Sequence, residues 1–372
     1  MDADSIPGAV VLVKKYDKVI FEKAFGYAQK YNFRQNLIEP LEKMTTRHLF
    51  DIASLTKVVG TTISIMLLVD RGLLSIDDPV CKYVSFFSIS DKSTITIRNL
   101  LTHTAGLREW YPLYYFCANK EQSYQLIGRL PLKYGVGVER HYSDLGFIIL
   151  GDVVEQVSKL SLQEFMLKNI FEPLRMTHTG YLPLQSWRNR EIAATSQGNP
   201  YEKRMVYDSS LGFSIKGISG TEWNGWRQYT LRGEVNDGNA WYANKGVSGA
   251  AGLFSTIEDL QILIDMLVAK GTNGNMQFVK PATIDNFLIK DKFNNGLGWM
   301  MDPNNSFMKN APAGTYGHTG FTGTSIVVIP SIHTSLILLT NRQNRGLVSN
   351  GEYYNVNPLR SVIFELVNKY LE

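Results

Sequence analysis

The chain has 372 residues, 44% of them hydrophobic and 19% charged, with a formal net charge of +4. That length supports a large core and two lobes. The Lys and Arg residues are scattered rather than gathered in a stripe, which argues against a nucleic-acid surface, and no run of about 18 apolar residues predicts a membrane span.

The chain opens Met1-Asp2-Ala3-Asp4-Ser5 with no signal-peptide pattern. It is in a strand-like run by Ala9, as a trimmed domain would be, which leaves a removed export signal open. Ala9–Val13 and Val19–Phe25 read as two strands of a hairpin, with Lys14 to Lys18 as the turn. Tyr27 to Thr46 reads as polar and irregular. His48-Leu49-Phe50-Asp51 then leads into a helical pattern with Val58, Val59, Ile63, Met66 and Leu67 on one period, stopped at Gly72.

From Leu73 to about Tyr181 the reading is mostly helical. Thr96–Thr102 is a short helix. Leu145, Ile148, Ile149, Val153 and Val157 form one apolar face, and Leu162, Phe165, Met166 and Ile170 another. Leu182 to Gly246 is rich in Gly, Asn, Trp and Tyr and resists assignment; Trp187, Trp223, Trp226 and Trp241 either line a pocket or pack. Ser255-Thr256-Ile257-Glu258 resembles a capping box ahead of another helix, and Pro281 opens a further one. Ser325–Ile329 and Ser335–Thr340 read as strands, and a last helix starts near Asn357-Pro358.

This order predicts an α/β fold: an antiparallel sheet flanked by helices, with an inserted, mostly helical lobe. Residues 1–70 and 295–372 would form a discontinuous α/β lobe and 71–294 the helical lobe, with a site in the cleft between them.

The two cysteines, Cys81 and Cys117, have no CxxC spacing; a disulfide and two free thiols both fit. The six histidines include no His-x-x-x-His pair, so neither a metal nor another cofactor is expected.

Chemistry centres on Ser54-Leu55-Thr56-Lys57. Residues i and i+3 share a helix face, so the Lys57 amine can reach the Ser54 hydroxyl. A serine needs an adjacent base to become nucleophilic, and burial lowers a lysine toward that role. The bland alternative is a capping serine and a solvated lysine. Ser306-Phe307-Met308-Lys309 has the same spacing without a helical apolar period. Two later stretches could complete a site. His141-Tyr142-Ser143-Asp144 offers a phenol and a carboxylate at a helix start, although Asp144 could simply be an N-cap. Tyr316-Gly317-His318-Thr319-Gly320-Phe321 offers a Gly-rich strand edge with backbone N–H groups, or a plain turn. His103 is better read as a hydrogen-bonded structural residue, since no Gly-x-Ser-x-Gly elbow occurs.

Ser-x-x-Lys, then Tyr-Ser-Asp, then His-Thr-Gly before a late strand resembles the class C β-lactamase-like serine hydrolases. That family includes penicillin-binding DD-carboxypeptidases, class C β-lactamases and related esterases. Leu100–Leu107 and Gly252–Ser255 carry the same likeness. The resemblance implies that Ser54 is acylated, that Lys57 accepts its proton or tunes Tyr142, and that Tyr142 shuttles a proton to the leaving group. Asp144, His318, Thr319, Gly320 and Phe321 would bind substrate, and the N–H groups of Ser54 and Phe321 would form the oxyanion hole. The family has Asn where Asp144 stands and Lys where His318 stands. Both changes disfavour a substrate carboxylate, and His318 would be only partly charged near neutrality.

The expected function is therefore a serine hydrolase cleaving an ester or a D-amino-acid-type amide in a small-molecule or peptide substrate. The alternatives are a DD-carboxypeptidase acting on cell-wall peptides and a non-turnover penicillin-binding sensor. By the same resemblance the protein would act in the periplasm or at the cell surface, if an export signal has been removed. Nothing in the sequence sets the oligomeric state.

Overall fold

The computed structural model describes residues 5–88, 90–187, 190–218 and 223–371. The opening Met1–Asp4 lies outside them, as does part of the unassigned stretch between Leu182 and Gly246.

Six strands form the central sheet: β1 (Gly8–Lys15), β2 (Lys18–Tyr31), β3 (Leu37–Lys43), β4 (Tyr316–Thr319), β5 (Ser325–Ile329) and β6 (Thr334–Thr340). Their order is β4-β5-β6-β1-β2-β3, with neighbours antiparallel. The first and last parts of the chain thus meet side by side, with Ala9 opposite Thr340 and Lys15 opposite Thr334. Strand β3 falls in the stretch read as irregular. It is a mostly exposed edge strand interrupted by Pro40, so it shows no apolar alternation.

Alternation along β1 sorts the core into two layers. Val10 and Leu12 join the main apolar cluster, which runs on through Leu145 and Phe147 of the inserted segment. Val11 and Val13 join a second cluster on the other face, closed by Phe364 and Val367.

The main helices are α1 (Thr62–Asp70), α2 (Asp144–Ser158), α3 (Pro200–Tyr207), α4 (Ile257–Val268) and α5 (Asn357–Leu371). Helix α4 lies in the range read as the helical lobe, yet it packs on the sheet. Gln261 Oε1 accepts from Ser335 Oγ at 3.0 Å, and Lys14 Nζ meets Asp265 Oδ2 at 2.6 Å. Its cap is Thr256, whose side chain accepts from Asp259 N, one residue on from the pattern read in the sequence. The span from Leu73 to Tyr181 is less regular than its periodicity suggested: between α1 and α2 run short helices such as Ile97–Leu101 and Lys120–Arg129. Cys81 and Cys117 are free. No helix is long and apolar enough to cross a membrane among the described residues.

Candidate active site

Phe50–Asp51 pairs with Phe254–Ser255 beneath the cleft. The buried Asp51 carboxylate then turns the chain: it accepts from Ala53 N at 2.9 Å and Asn236 N at 2.7 Å. Burial pushes Asp51 up to about 6, against those two hydrogen bonds. Ala53 takes a left-handed φ of 47°, uncommon for a residue with a Cβ, and this turn presents the half-buried Ser54. Lys57 N–H bonds to Ser54 O at 3.1 Å and opens the π-turn Lys57–Thr61, which continues as α1.

The Lys57 side chain is fully buried, and its Nζ has three partners: Ser54 Oγ at 2.9 Å, Ala250 O at 2.9 Å and Asp144 Oδ1 at 2.7 Å. Burial alone would push this ammonium down, but the Asp144 carboxylate and then Tyr142 outweigh it and hold Lys57 above its usual range. This corrects the expectation of a lysine lowered by burial. An unpaired buried ammonium would lose its proton; Asp144 keeps this one charged.

Asp144 is available for that contact because it is not the helix cap. Ser143 caps α2, its Oγ accepting from Gly146 N at 3.2 Å. His103, itself at a φ of 60°, fixes the approach: its Nδ1 accepts from Ser143 N at 3.0 Å and its carbonyl accepts from His141 N at 3.0 Å. The His103 ring lies 4.5 Å from that of Tyr142. Lys57 Nζ stands 5.0 Å from the centre of the Tyr142 ring. Burial raises the Tyr142 phenol, although Lys57 and Ser54 pull it the other way, so the neutral phenol is the resting form.

The loop after β4 is stitched to the Ser54 turn. Thr322 Oγ1 donates to Asp51 O at 2.7 Å and Thr324 Oγ1 to Ile52 O at 3.1 Å. Gly320 sits where a Cβ would meet Ile52 O at 2.5 Å, so only glycine permits the approach. Arg342 holds the far side, donating to Phe321 O at 2.7 Å. Among the described residues the backbone N–H groups of Ser54 and Phe321 have no protein acceptor. His318 donates from Nδ1 to Thr319 O at 2.9 Å, and its buried Nε2 has no partner. Burial, then Lys57, lowers His318 to about 3. The ring is therefore uncharged at neutral pH, not partly charged as its ordinary value suggested.

A cleft of about 270 Å³ opens here, lined by Ser54, Tyr142, Asp144 and Phe321. His318, Thr319 and Gly320 are not among its lining residues. The rest of the lining was missed in the sequence: Tyr201, Glu202 and Met205 of α3, Asp237, Trp110, Phe213 and Tyr353. Asn199-Pro200, a helix-opening pair, was the one signal for α3. Trp223 and Trp226 instead pack around Tyr114 and Tyr242. The decoy pair is elsewhere: Ser306 and Lys309 are exposed around a short 3-10 turn. No group of three or more metal-ligating side chains occurs among the described residues.

The sequence profile of the Beta-lactamase family matches residues 1–356. The chain belongs to that family. It is 32% identical to the N-acetylmuramyl-L-alanine amidase of Bacillus subtilis (strain 168), over 95% of this chain and 81% of that protein. It is also 32% identical to a putative D-alanyl-D-alanine carboxypeptidase of Escherichia coli (strain K12), over 90% of this chain and 78% of that protein. The fold matches the octameric penicillin-binding protein homologue from Pyrococcus abyssi with a TM-score of 0.70 at 21% identity, covering 98% of this chain and 74% of that one. It matches a class C β-lactamase equally well, with a TM-score of 0.70 at 19% identity, covering 99% and 94%. The relatives are named for hydrolases, and the antiparallel sheet with flanking helices is that of the β-lactamase and penicillin-binding fold.

Proposed function

We propose that this protein is a serine hydrolase that forms an acyl-enzyme at Ser54 and cleaves an ester or a D-amino-acid-type amide. The observation that carries this is the 2.9 Å contact between Ser54 Oγ and Lys57 Nζ, beside two backbone N–H groups free to receive an oxyanion.

The charge states support a specific proton route. Lys57 is an ammonium at rest, so it first passes a proton to Asp144, 2.7 Å away, and turns the freed lone pair to Ser54. Ser54 attacks the carbonyl carbon as its proton moves to Lys57. The N–H groups of Ser54 and Phe321 hold the oxyanion. The neutral Tyr142 phenol protonates the leaving group as the scissile bond breaks, and the phenolate left behind is stabilised by Lys57. The proton on Asp144 returns to Tyr142 through Lys57. Water then releases the acyl group by the same steps in reverse.

Among the described residues no Lys or Arg lines the cleft, and the group at 318 is a neutral histidine, which disfavours a C-terminal carboxylate as the recognised feature. Relatives named for N-acetylmuramyl-L-alanine and D-alanyl-D-alanine bonds favour a cell-wall-type amide, and with it an extracytoplasmic place of action. The test is steady-state hydrolysis of p-nitrophenyl esters and D-alanyl p-nitroanilides with a pre-steady-state burst. Turnover continuing past one equivalent supports the hydrolase. A single stoichiometric burst with nothing after it means a sensor, and no burst or turnover in the folded protein removes the proposal.

A further inference from the structure

The cleft lining also carries two carboxylates that the proposed chemistry does not use. Glu202 comes from α3 and Asp237 from the loop that also supplies Asn236. A shared backbone contact holds them together: Glu202 Oε2 accepts at 2.8 Å from the N–H of Gly238, the residue after Asp237. Asp237 Oδ1 is occupied by Ala240 N at 2.7 Å. The remaining oxygens are not paired with a cation. Among the described residues neither Glu202 nor Asp237 forms an ion pair, and buried Glu202 Oε1 and its neighbour, the Tyr114 hydroxyl, both lack a well-aligned hydrogen-bond partner. Gly238 lets that oxygen pack close to the backbone, since a Cβ there would stand 2.2 Å from it.

The nearby cations are held by other groups, although among the described residues Arg227 Nη1 has no hydrogen-bond partner and its charge still acts on both carboxylates. Lys57 is paired with Asp144. Arg227 reaches Asn199 Oδ1 at 3.1 Å, Asn236 O at 3.1 Å and Glu234 at 3.7 Å. Arg342 is tied to the carbonyls of Phe321 and Tyr354. Around the two carboxylates stand the rings of Trp110, Tyr201, Phe213 and Tyr353, whose faces attract cations. A buried acceptor without a donor is costly unless something occupies it.

We propose that this wall is a binding site for a primary ammonium group of the substrate, seated between Glu202 and Asp237 within the aromatic rings while Ser54 meets the scissile carbonyl. This rests on the serine-hydrolase reading for which end of the ligand reacts, but the ammonium site itself stands on its own geometry. Three N–H donors of an ammonium match Glu202 Oε1, the second Asp237 oxygen and one further acceptor. Burial and the Asp237 charge push Glu202 up to about 8, so at neutral pH the Glu202 carboxyl is largely protonated beside a charged Asp237, and it loses that proton when the ligand arrives.

The experiment compares p-nitrophenyl esters of ω-amino acids with alkanoate esters of the same chain length, in which a methyl group replaces the ammonium. At the best chain length the wild type is expected to favour the amino ester by about tenfold in kcat/KM, and Glu202→Gln or Asp237→Asn to bring that ratio toward one. Equal rates for both ester types in the wild type at every chain length would overturn the proposal. A second measurement needs neither variants nor turnover: ligand-observed NMR of wild type with butylammonium and with 1-butanol at pH 8.5. Butylammonium is expected to bind and butanol not. Binding of neither, or of both alike, contradicts the ammonium site. Selective butylammonium binding in a protein that turns over no ester would uphold the site and remove the hydrolase reading instead.

Discussion

The two walls of the cleft treat buried charge in opposite ways. On the Ser54 side, Asp144 lies 2.7 Å from Lys57 and keeps the buried ammonium charged. On the other side, Glu202 and Asp237 form no ion pair among the described residues, and burial pushes them up to about 8 and about 6. A pair that satisfies itself suits chemistry that must start from one defined protonation state. A pair left unsatisfied destabilises the fold and is better explained by what it binds.

The largest expected effect is on the proposed nucleophile. Ser54→Ala should lower ester hydrolysis by about 10⁴-fold or more, while Ser306→Ala, at the exposed pair of the same spacing, leaves it unchanged. Equal losses in both would mean that spacing, not environment, was mistaken for a site. Next is the partner of Lys57. Asp144→Asn removes the proposed proton acceptor and should reduce kcat by about 10²–10⁴-fold. A rate that held or rose would make Asp144 only a brake on a lysine base, and would erase the distinction between the walls.

A smaller change is expected on restoring a fixed cation. His318→Lys places an ammonium where a neutral ring now lies, and acylation by a penicillin should rise about tenfold. Its melting temperature should fall by a few degrees, because the new charge is buried near Lys57, Arg140 and Arg360. No gain in penicillin acylation by the folded variant would remove the charge-based account of substrate preference.

The smallest effect is on stability across pH. Glu202 is raised from 4.5 to about 8 in the fold, so the folded state binds its proton more tightly than the unfolded chain does. Its contribution is full below 4.5 and is lost as pH rises through about 8. Gln does not titrate, so Glu202→Gln should raise the melting temperature by roughly 2–4 °C at pH 9 and less at pH 7. The groups facing Glu202 are Asp237, Arg227, Tyr114, Tyr115, Tyr242 and Tyr353; the four phenols are raised further from neutrality and Asp237 titrates at about 6. Comparing pH 7 with pH 9 keeps its change out of the difference. A stabilisation that does not grow with pH would show that Glu202 is not held under strain.

The two walls also differed in how far the sequence revealed them. Ser54 and Lys57 were readable because their spacing sits at the head of a run whose apolar period continues through Ile63, Met66 and Leu67. Tyr142 was readable because a strong apolar face follows it. What those residues would carry as charge was not readable: whether Asp144 caps its helix or faces Lys57 depends on Ser143 taking the cap, a choice between adjacent residues with similar propensity. The acidic wall left almost no trace. Helix α3 is short and only Val206 in it is buried, so no periodicity marks it. Asp237 lies on a loop fixed by the contact of Asn236 N with Asp51, far away in sequence. In the fold, the paired ends of the sheet were legible from their alternating apolar residues, whereas β3, an exposed edge, had no such pattern to read.

The most direct test of the central proposal is covalent. The wild-type protein treated with a fluorophosphonate and examined by intact and peptide mass spectrometry should carry one adduct, on the peptide containing Ser54, and its formation should slow when Lys57 is changed to Ala. An adduct mapped to any other residue, or none on protein shown to be folded, would contradict the assignment of Ser54 as the nucleophile.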